Sequence, residues 1–282
     1  THSPARVTLE SDGFDLDTTD TNYNGDTRTY VAHGWLAGTA VSGTTTGSGT
    51  GKAYSGQVNT DSGVSVITYL GNGSDNHTIP HHLGVAPDFV VTTRRTGTDA
   101  WYVFHTKNTS DPEDDYLRLN DNVATEDEDS IWSDVVPTST VVNLGTNTGV
   151  NGDDVPYIMY SFANIEGYSK FGSYVGNGAT DGTFVYTGFE PAMVCVKASD
   201  DVQAWRIFDN ARNPFNDVDL NLMVDSNGAE FESSAYNAMD FVSNGFKIRA
   251  TTAADGGTNG SGTNYIFMAF SSGTGFKYGN AN

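Results

Sequence analysis

Short runs of alternating apolar and polar residues recur along the chain, separated by Gly, Asn, Asp or Pro. Period-two alternation over about four to eight residues is the signature of a half-buried strand. The stretch from Tyr157, YIMYSFANIEGYSKFG, reads as a strand, a turn and the opening of a new unit that begins GSYVGNG. The same plan closes the chain from Tyr265, YIFMAFSSGTGFKYG, and a shorter relative lies at Tyr30, YVAHGWLAG. A strand that returns in this way, each time followed by a Gly-containing turn, predicts a chain built by repetition. No window holds a 3.6-residue apolar period over three turns. The nearest, SSAYNAMDFVSNG, predicts one short helical turn at most. The expected fold class is all-β, with tandem antiparallel β-sandwich repeats of roughly eight to ten strands each.

The landmarks divide the chain. Residues 1–37 read as the C-terminal part of an incomplete first repeat, with a strand turning at Asp12-Gly13, Phe14 aligned with Phe246 and Tyr30 with Tyr265. Residues 38–63 are so rich in Gly, Thr and Ser that composition predicts a flexible linker. An extended segment lying along a neighbouring chain would have the same composition. Residues 64–171 form the first full repeat and 172–282 the second. One and the same separation divides Pro87 from Pro191, Trp101 from Trp205 and Tyr116 from Leu220, which implies the same strands in the same order. Trp101 and Trp205 are then expected as core anchors between sheets. No linker separates the full repeats, so they are expected to form a stiff two-domain rod on a looser N-terminal attachment.

Charge changes the picture of partners. The chain has 35 acidic residues against 14 basic, a formal net charge of -21. Phosphates would be repelled, which excludes direct nucleic-acid binding. Such a surface suits a saline medium, where screening removes the self-repulsion, although an ordinary acidic secreted or virion protein also fits. No run reaches the 18 or so apolar residues of a membrane-spanning helix, so no membrane insertion is expected. The chain opens without Met or a signal segment, consistent with a processed or partial product. The single cysteine, Cys195, lies in the apolar run MVCV and reads as a buried structural thiol.

Together, YLGNG, HTIPHHLGVAPDFVV, AWYVFH, YIMYSFANIEGYSKFGSYVGNG, PAMVCVKA, ARNPFNDVD, FVSNGFKIR and FKYGNAN span nearly the whole chain. They resemble a repeat domain of tail-fibre and other virion proteins of tailed viruses, often marine or halophilic. The resemblance implies a concanavalin-like or jelly-roll sandwich and a place on the virion surface as tail fibre, spike or capsid decoration. It implies a homo-oligomer, commonly a trimer, that touches other virion proteins and host surface glycans or glycoproteins. It assigns no catalytic, cofactor-binding or metal-ligating residue, and no cofactor. The alternatives are a carbohydrate-active enzyme, a tail-spike depolymerase, or a cell-surface lectin or adhesin of a halophile.

Candidate chemistry is sparse. His77, His81 and His82 cluster, but adjacent residues of a strand point to opposite faces, so His81 and His82 do not readily share an ion. A surface loop before a strand is the plainer expectation. Asp111, Glu113, Asp114 and Asp115 form one acidic run and Glu126, Asp127, Glu128 and Asp129 another. Neither has the spaced ligands of a Ca²⁺ loop, so both read as solvated loops, as do Asp153-Asp154 and Asp255. No paired-acid motif of a glycosidase and no nucleophile elbow is present, which argues against an enzyme. Tyr23, Tyr54, Trp132 and Tyr236 are loop aromatics able to stack on sugars, with core packing as the competing fate. Asn72, Asn76, Asn108 and Asn259 stand in glycosylation sequons.

Overall fold

The structure is a computed structural model that describes residues 7–10, 13–16, 24–36, 38–232, 237–250 and 257–272. The chain divides into two compact units, 1–34 and 35–282. In the first, β1 (Thr8–Leu9) pairs antiparallel with β2 (Phe14–Asp15), with Leu9 opposite Phe14. The Glu10 amide donates to the Gly13 carbonyl at 2.9 Å, and Asp12, where the turn was expected, lies outside the described residues. Residues 30–36, expected as a strand, contain none.

The second unit is built of strands. They are β3 (Thr39–Thr44), β4 (Thr46–Gly47), β5 (Ala53–Asn59), β6 (Val64–Leu70), β7 (His77–Pro80), β8 (Phe89–Arg94), β9 (Tyr102–His105), β10 (Asp115–Arg118), β11 (Glu126–Asp127) and β12 (Val141–Leu144). A one-turn helix α1 (Thr148–Asn151) precedes β13 (Pro156–Phe162). Then come β14 (Ser169–Val175), β15 (Phe184–Tyr186), β16 (Met193–Ala198), β17 (Arg206–Asp209), β18 (Leu220–Met223), β19 (Phe231–Glu232), β20 (Met239–Val242), β21 (Gly245–Ile248) and β22 (Asn264–Phe270). The helical turn expected in SSAYNAMDFVSNG is replaced by β20 where that stretch is described.

Every pairing is antiparallel, and the fold is all-β. An eight-stranded sheet runs β11-β10-β9-β8-β13-β6-β5-β3 and faces a three-stranded sheet, β12-β7-β4. A six-stranded sheet runs β14-β22-β16-β17-β18-β19 and faces another three-stranded sheet, β15-β21-β20. The order β6-β13-β8-β9-β10-β11 in the larger sheet has the same sense as β14-β22-β16-β17-β18-β19 in the smaller.

Three apolar cores separate these four layers. Ile67, Tyr69, Val90, Phe104, Tyr157 and Met159 pack under Ile79, Val142 and Leu144. Val194, Val196, Phe208, Tyr265 and Phe267 pack under Val185, Phe246 and Ile248. Between the two large sheets lies a middle core, in which Phe89, Val91, Val103, Leu117 and Phe162 meet Phe171, Met193, Cys195, Trp205, Ile266 and Phe270. Both faces of each large sheet are thus apolar. This explains the continuous runs FVV and MVCV, since a strand buried on both sides has no face to give to polar residues. The turn after Phe162 leads straight into β14, and Phe162 and Phe171 stand 6.2 Å apart in the middle core. Trp205 is a core anchor as expected, and its indole donates to the Arg118 carbonyl across the two sheets, 2.8 Å. Trp101 is not: it is 38% exposed and lies flat on Tyr160 at the surface.

The segment 38–63 corrects the linker reading. It supplies β3, β4 and β5, which extend the eight-stranded sheet and edge its partner. Its polar side chains explain how. Thr45 is buried, and its hydroxyl meets His77 Nε2 at 2.6 Å and accepts from the Lys52 amide at 2.8 Å. Lys52 reaches Asp153 and Asp154. Asn72 donates to the carbonyls of Ser48 and Thr50. Glycine serves close approach here: a Cβ on Gly38 would sit 1.8 Å from the Val58 carbonyl oxygen.

The edge at β14 is sealed in part by side chains. Asn164 accepts from the Phe171 amide at 2.7 Å, and Thr183 donates to the Val175 carbonyl at 2.8 Å.

Candidate functional site: an uncharged groove on the eight-stranded sheet

The six-stranded sheet covers only part of the face it packs on. Beyond its rim, β13, β6, β5 and β3 carry an open groove of about 780 Å³. Strand alternation sets its floor. Val64, Val66 and Thr68 on β6 stand beside Ser55 and Gln57 on β5, and these beside Ala40 and Ser42 on β3. The intervening residues Tyr54, Ile67 and Tyr69 point the other way, into the first core. Tyr160 and Phe162 form one wall, continuing into the middle core. Trp35 closes one end, edge-on to Phe162 at 5.7 Å and to Phe270 at 5.4 Å. Trp101 stacks on Tyr160 with an interplanar angle of 7°. The Asn59 side chain donates to the Leu36 carbonyl at 3.3 Å.

Among the described residues, none of those lining the groove carries a charge. The surroundings explain why this matters. From Gly38 to Asn59 the chain holds no acid and one base, Lys52, which is paired, while the whole carries -21. The groove is therefore the place where a neutral, partly apolar partner meets least electrostatic cost. Burial raises the Tyr160 phenol, so it remains protonated and a hydrogen-bond donor at neutral pH.

The structure distributes the other candidates differently from expectation. His77 and His81 are buried, not on a surface loop. His77 Nδ1 lies 2.8 Å from Asn151 Oδ1, whose own amide nitrogen donates to two carbonyls, so His77 donates there and accepts from Thr45 at Nε2. Burial lowers the pKa of both histidines. His82 turns away at a φ of 61° and bonds the Tyr54 hydroxyl. The two acidic runs are brought side by side, because β10 pairs with β11 and sets Asp115 opposite Asp127. Partial desolvation, then the carboxylates of Asp134, Glu113, Asp129 and Asp111, raises the Asp114 pKa. Among the described residues no group of three or more His, Cys, Asp or Glu is arranged to hold a metal ion.

Trp132, expected on a loop, is buried with its indole donating to the Asp115 carbonyl at 3.1 Å. Tyr54 is a buried strand residue. Tyr23, Tyr236 and Asp255 lie outside the described residues. Of the sequon asparagines, Asn108 and Asn259 are buried and the Asn72 amide is held by carbonyls; Asn76 alone is exposed. Cys195 is buried, which pushes its thiol up to about 12 and holds it as the unreactive thiol. The groove residues Trp35, Ser42, Gln57 and Tyr160 were not singled out from sequence. The signal that marks them is the missing acid between residues 38 and 59.

The fold and this surface define a class: an all-β protein of face-packed sandwiches with an uncharged groove on one large sheet. A family model described as a domain of unknown function, DUF7483, matches residues 1–273. The chain belongs to that family. No curated protein and no solved structure matches it.

Proposed function

We propose that the chain is a non-enzymatic structural protein of a virus particle, a tail-fibre, spike or capsid-decoration component that works as a homo-oligomer with its groove as a contact surface. One observation carries the reading. The stretch YIMYSFANIEGYSKFGSYVGNG, which holds the resemblance to virion proteins, is the joint between the sandwiches. It forms β13, the turn and β14, and it places Phe162 and Phe171 in the middle core. Its residues join the two large sheets through one apolar core, which suits a stiff appendage. The matching strand order of the two large sheets supports tandem copies of one sandwich. Contacts repeated across an oligomer would add through effective concentration.

Immunogold labelling with an antibody to the full chain tests this. Label on tails or capsids of purified particles is the expected result, and label confined to the host cell surface would replace it with the adhesin reading. Incubation with host polysaccharide covers the depolymerase: release of oligosaccharides would overturn the non-enzymatic claim.

A further inference from the structure

The edges of the two large sheets are not alike. At one end of the eight-stranded sheet, β11 is two residues long and both are acidic. In the six-stranded sheet β19 is equally short, and β14 has its outward amide and carbonyl groups engaged at Phe171 and Val175. These are the devices by which proteins keep sheet edges from pairing: shortness, charge and capping. The fourth edge, β3, has none of them. It is six residues long, reads TAVSGT without charge or proline, and is exposed except at Val41.

The register says which of its groups are free. The Thr45 amide donates to the Lys52 carbonyl, and β3 pairs in step with β5 from Thr39↔Val58 to Thr44↔Ala53. Thr39, Val41 and Gly43 therefore turn their backbone groups to β5, and Ala40, Ser42 and Thr44 turn theirs outward. An unpaired row of this kind is a template for another strand.

We infer that β3 and the groove beside it form an interface with a second copy of this chain, the two β3 strands pairing antiparallel about Ser42. The inference rests on the homo-oligomeric reading above and fixes its geometry. Three observations select a second copy as the occupant. The outward groups are self-complementary, since Ala40 faces Thr44 of a copy when Ser42 faces Ser42, and every outward amide then meets a carbonyl. Charge allows it, because Gly38 to Asn59 is free of acid, so two chains of charge -21 meet here without apposing carboxylates. Shape supports it: Leu36, 77% exposed at the mouth of the groove, gives each copy an apolar side chain to lay on the other. The contact is isologous, so it closes at two chains and calls for a dimer where the resemblance suggested a trimer.

The test uses the full chain. Light scattering should give twice the chain mass at micromolar concentration. In the Ser42→Cys variant the paired Cα atoms would stand about 5.5 Å apart, within disulfide reach. Because Cys195 is buried, mild oxidation should link that variant into dimers and leave Ser226→Cys, an exposed control, unlinked. Ser42→Lys sets two like charges opposite each other and should weaken the dimer about tenfold or more, with an unchanged far-ultraviolet circular dichroism spectrum showing that the chain still folds. A monomer or a trimer, or equal linking of the two cysteine variants, overturns the inference. The immunogold result is independent: particle label with a monomeric chain would leave the virion reading standing and remove this interface.

Discussion

Acid should weaken this protein through one buried histidine in particular. His105 ends β9 inside the middle core, 1% exposed, with its ring 6.0 Å from Phe89 and 6.5 Å from Phe171. Its Nδ1 accepts from the Lys107 amide at 3.0 Å, so its Nε2 carries the proton and donates to the Phe267 carbonyl of the other sheet at 3.2 Å. A second proton would break the first bond and place a charge among aromatic rings. Burial accordingly lowers the pKa from 6.5 to about 4. Above pH 6.5 the ring is neutral whether folded or unfolded, and contributes no pH dependence. Between 6.5 and 4 the unfolded chain takes up a proton that the folded chain refuses, so stability falls as the pH falls. The loss is about 2.5 kcal/mol by pH 4.5 and approaches about 3.4 kcal/mol below pH 4, at about 1.4 kcal/mol per pH unit. His105→Gln keeps a donor and an acceptor but does not titrate. Urea unfolding from pH 8 to 4.5 should show the variant about 1–2 kcal/mol weaker at pH 8, with the gap closing or reversing by pH 4.5. His77 and His81 titrate in both proteins and cancel. Parallel pH curves for the two proteins would refute the argument.

Trp205→Ala should cost about 3–5 kcal/mol by denaturant unfolding; because the middle core joins the large sheets, fluorescence and circular dichroism should still report one transition, and two separated transitions would contradict the coupling. Thr45→Val strands the His77 ring nitrogen and the Lys52 amide, at about 1–3 kcal/mol. Limited proteolysis should then cut within residues 46–51, and a resistant variant would show that the segment is held by other means. Raising NaCl from 0.01 to 1 M shortens the Debye length from about 30 to 3 Å; with a net charge of -21 the melting midpoint should rise, and a flat or falling midpoint would remove the saline reading.

The strands were legible where sequence and burial speak the same language. YIMYSF, FVV and MVCV are apolar on both faces, and each is a strand between two cores. Pro87 and Pro191 were legible as strand punctuation: each stands just before a strand buried on both faces, β8 and β16. Residues 38–59 were not legible, because their order comes from backbone pairing and from hydroxyls. Thr45 on His77 and Thr46 on Thr78 are bonds that a composition rich in Gly, Thr and Ser cannot announce. Trp101 and Trp132 exchanged roles for a related reason: periodicity ranks a strand residue as buried, but only the sheet-to-sheet contact decides which face is covered. The groove was invisible as a motif, since it is defined by where the six-stranded sheet stops.

The side chains of Asn164 and Thr183 have a consequence beyond their own hydrogen bonds. By occupying the Phe171 amide and the Val175 carbonyl they remove two of the outward groups on which another strand would pair at that edge of the six-stranded sheet. A sheet that can lengthen at both margins polymerises, as fibrils do. A sheet that can lengthen at one margin only stops when two of them meet. Two short polar side chains thus do for this edge of the six-stranded sheet what the two acids of β11 do for the far edge of the eight-stranded one: they leave an incoming strand fewer groups to pair with.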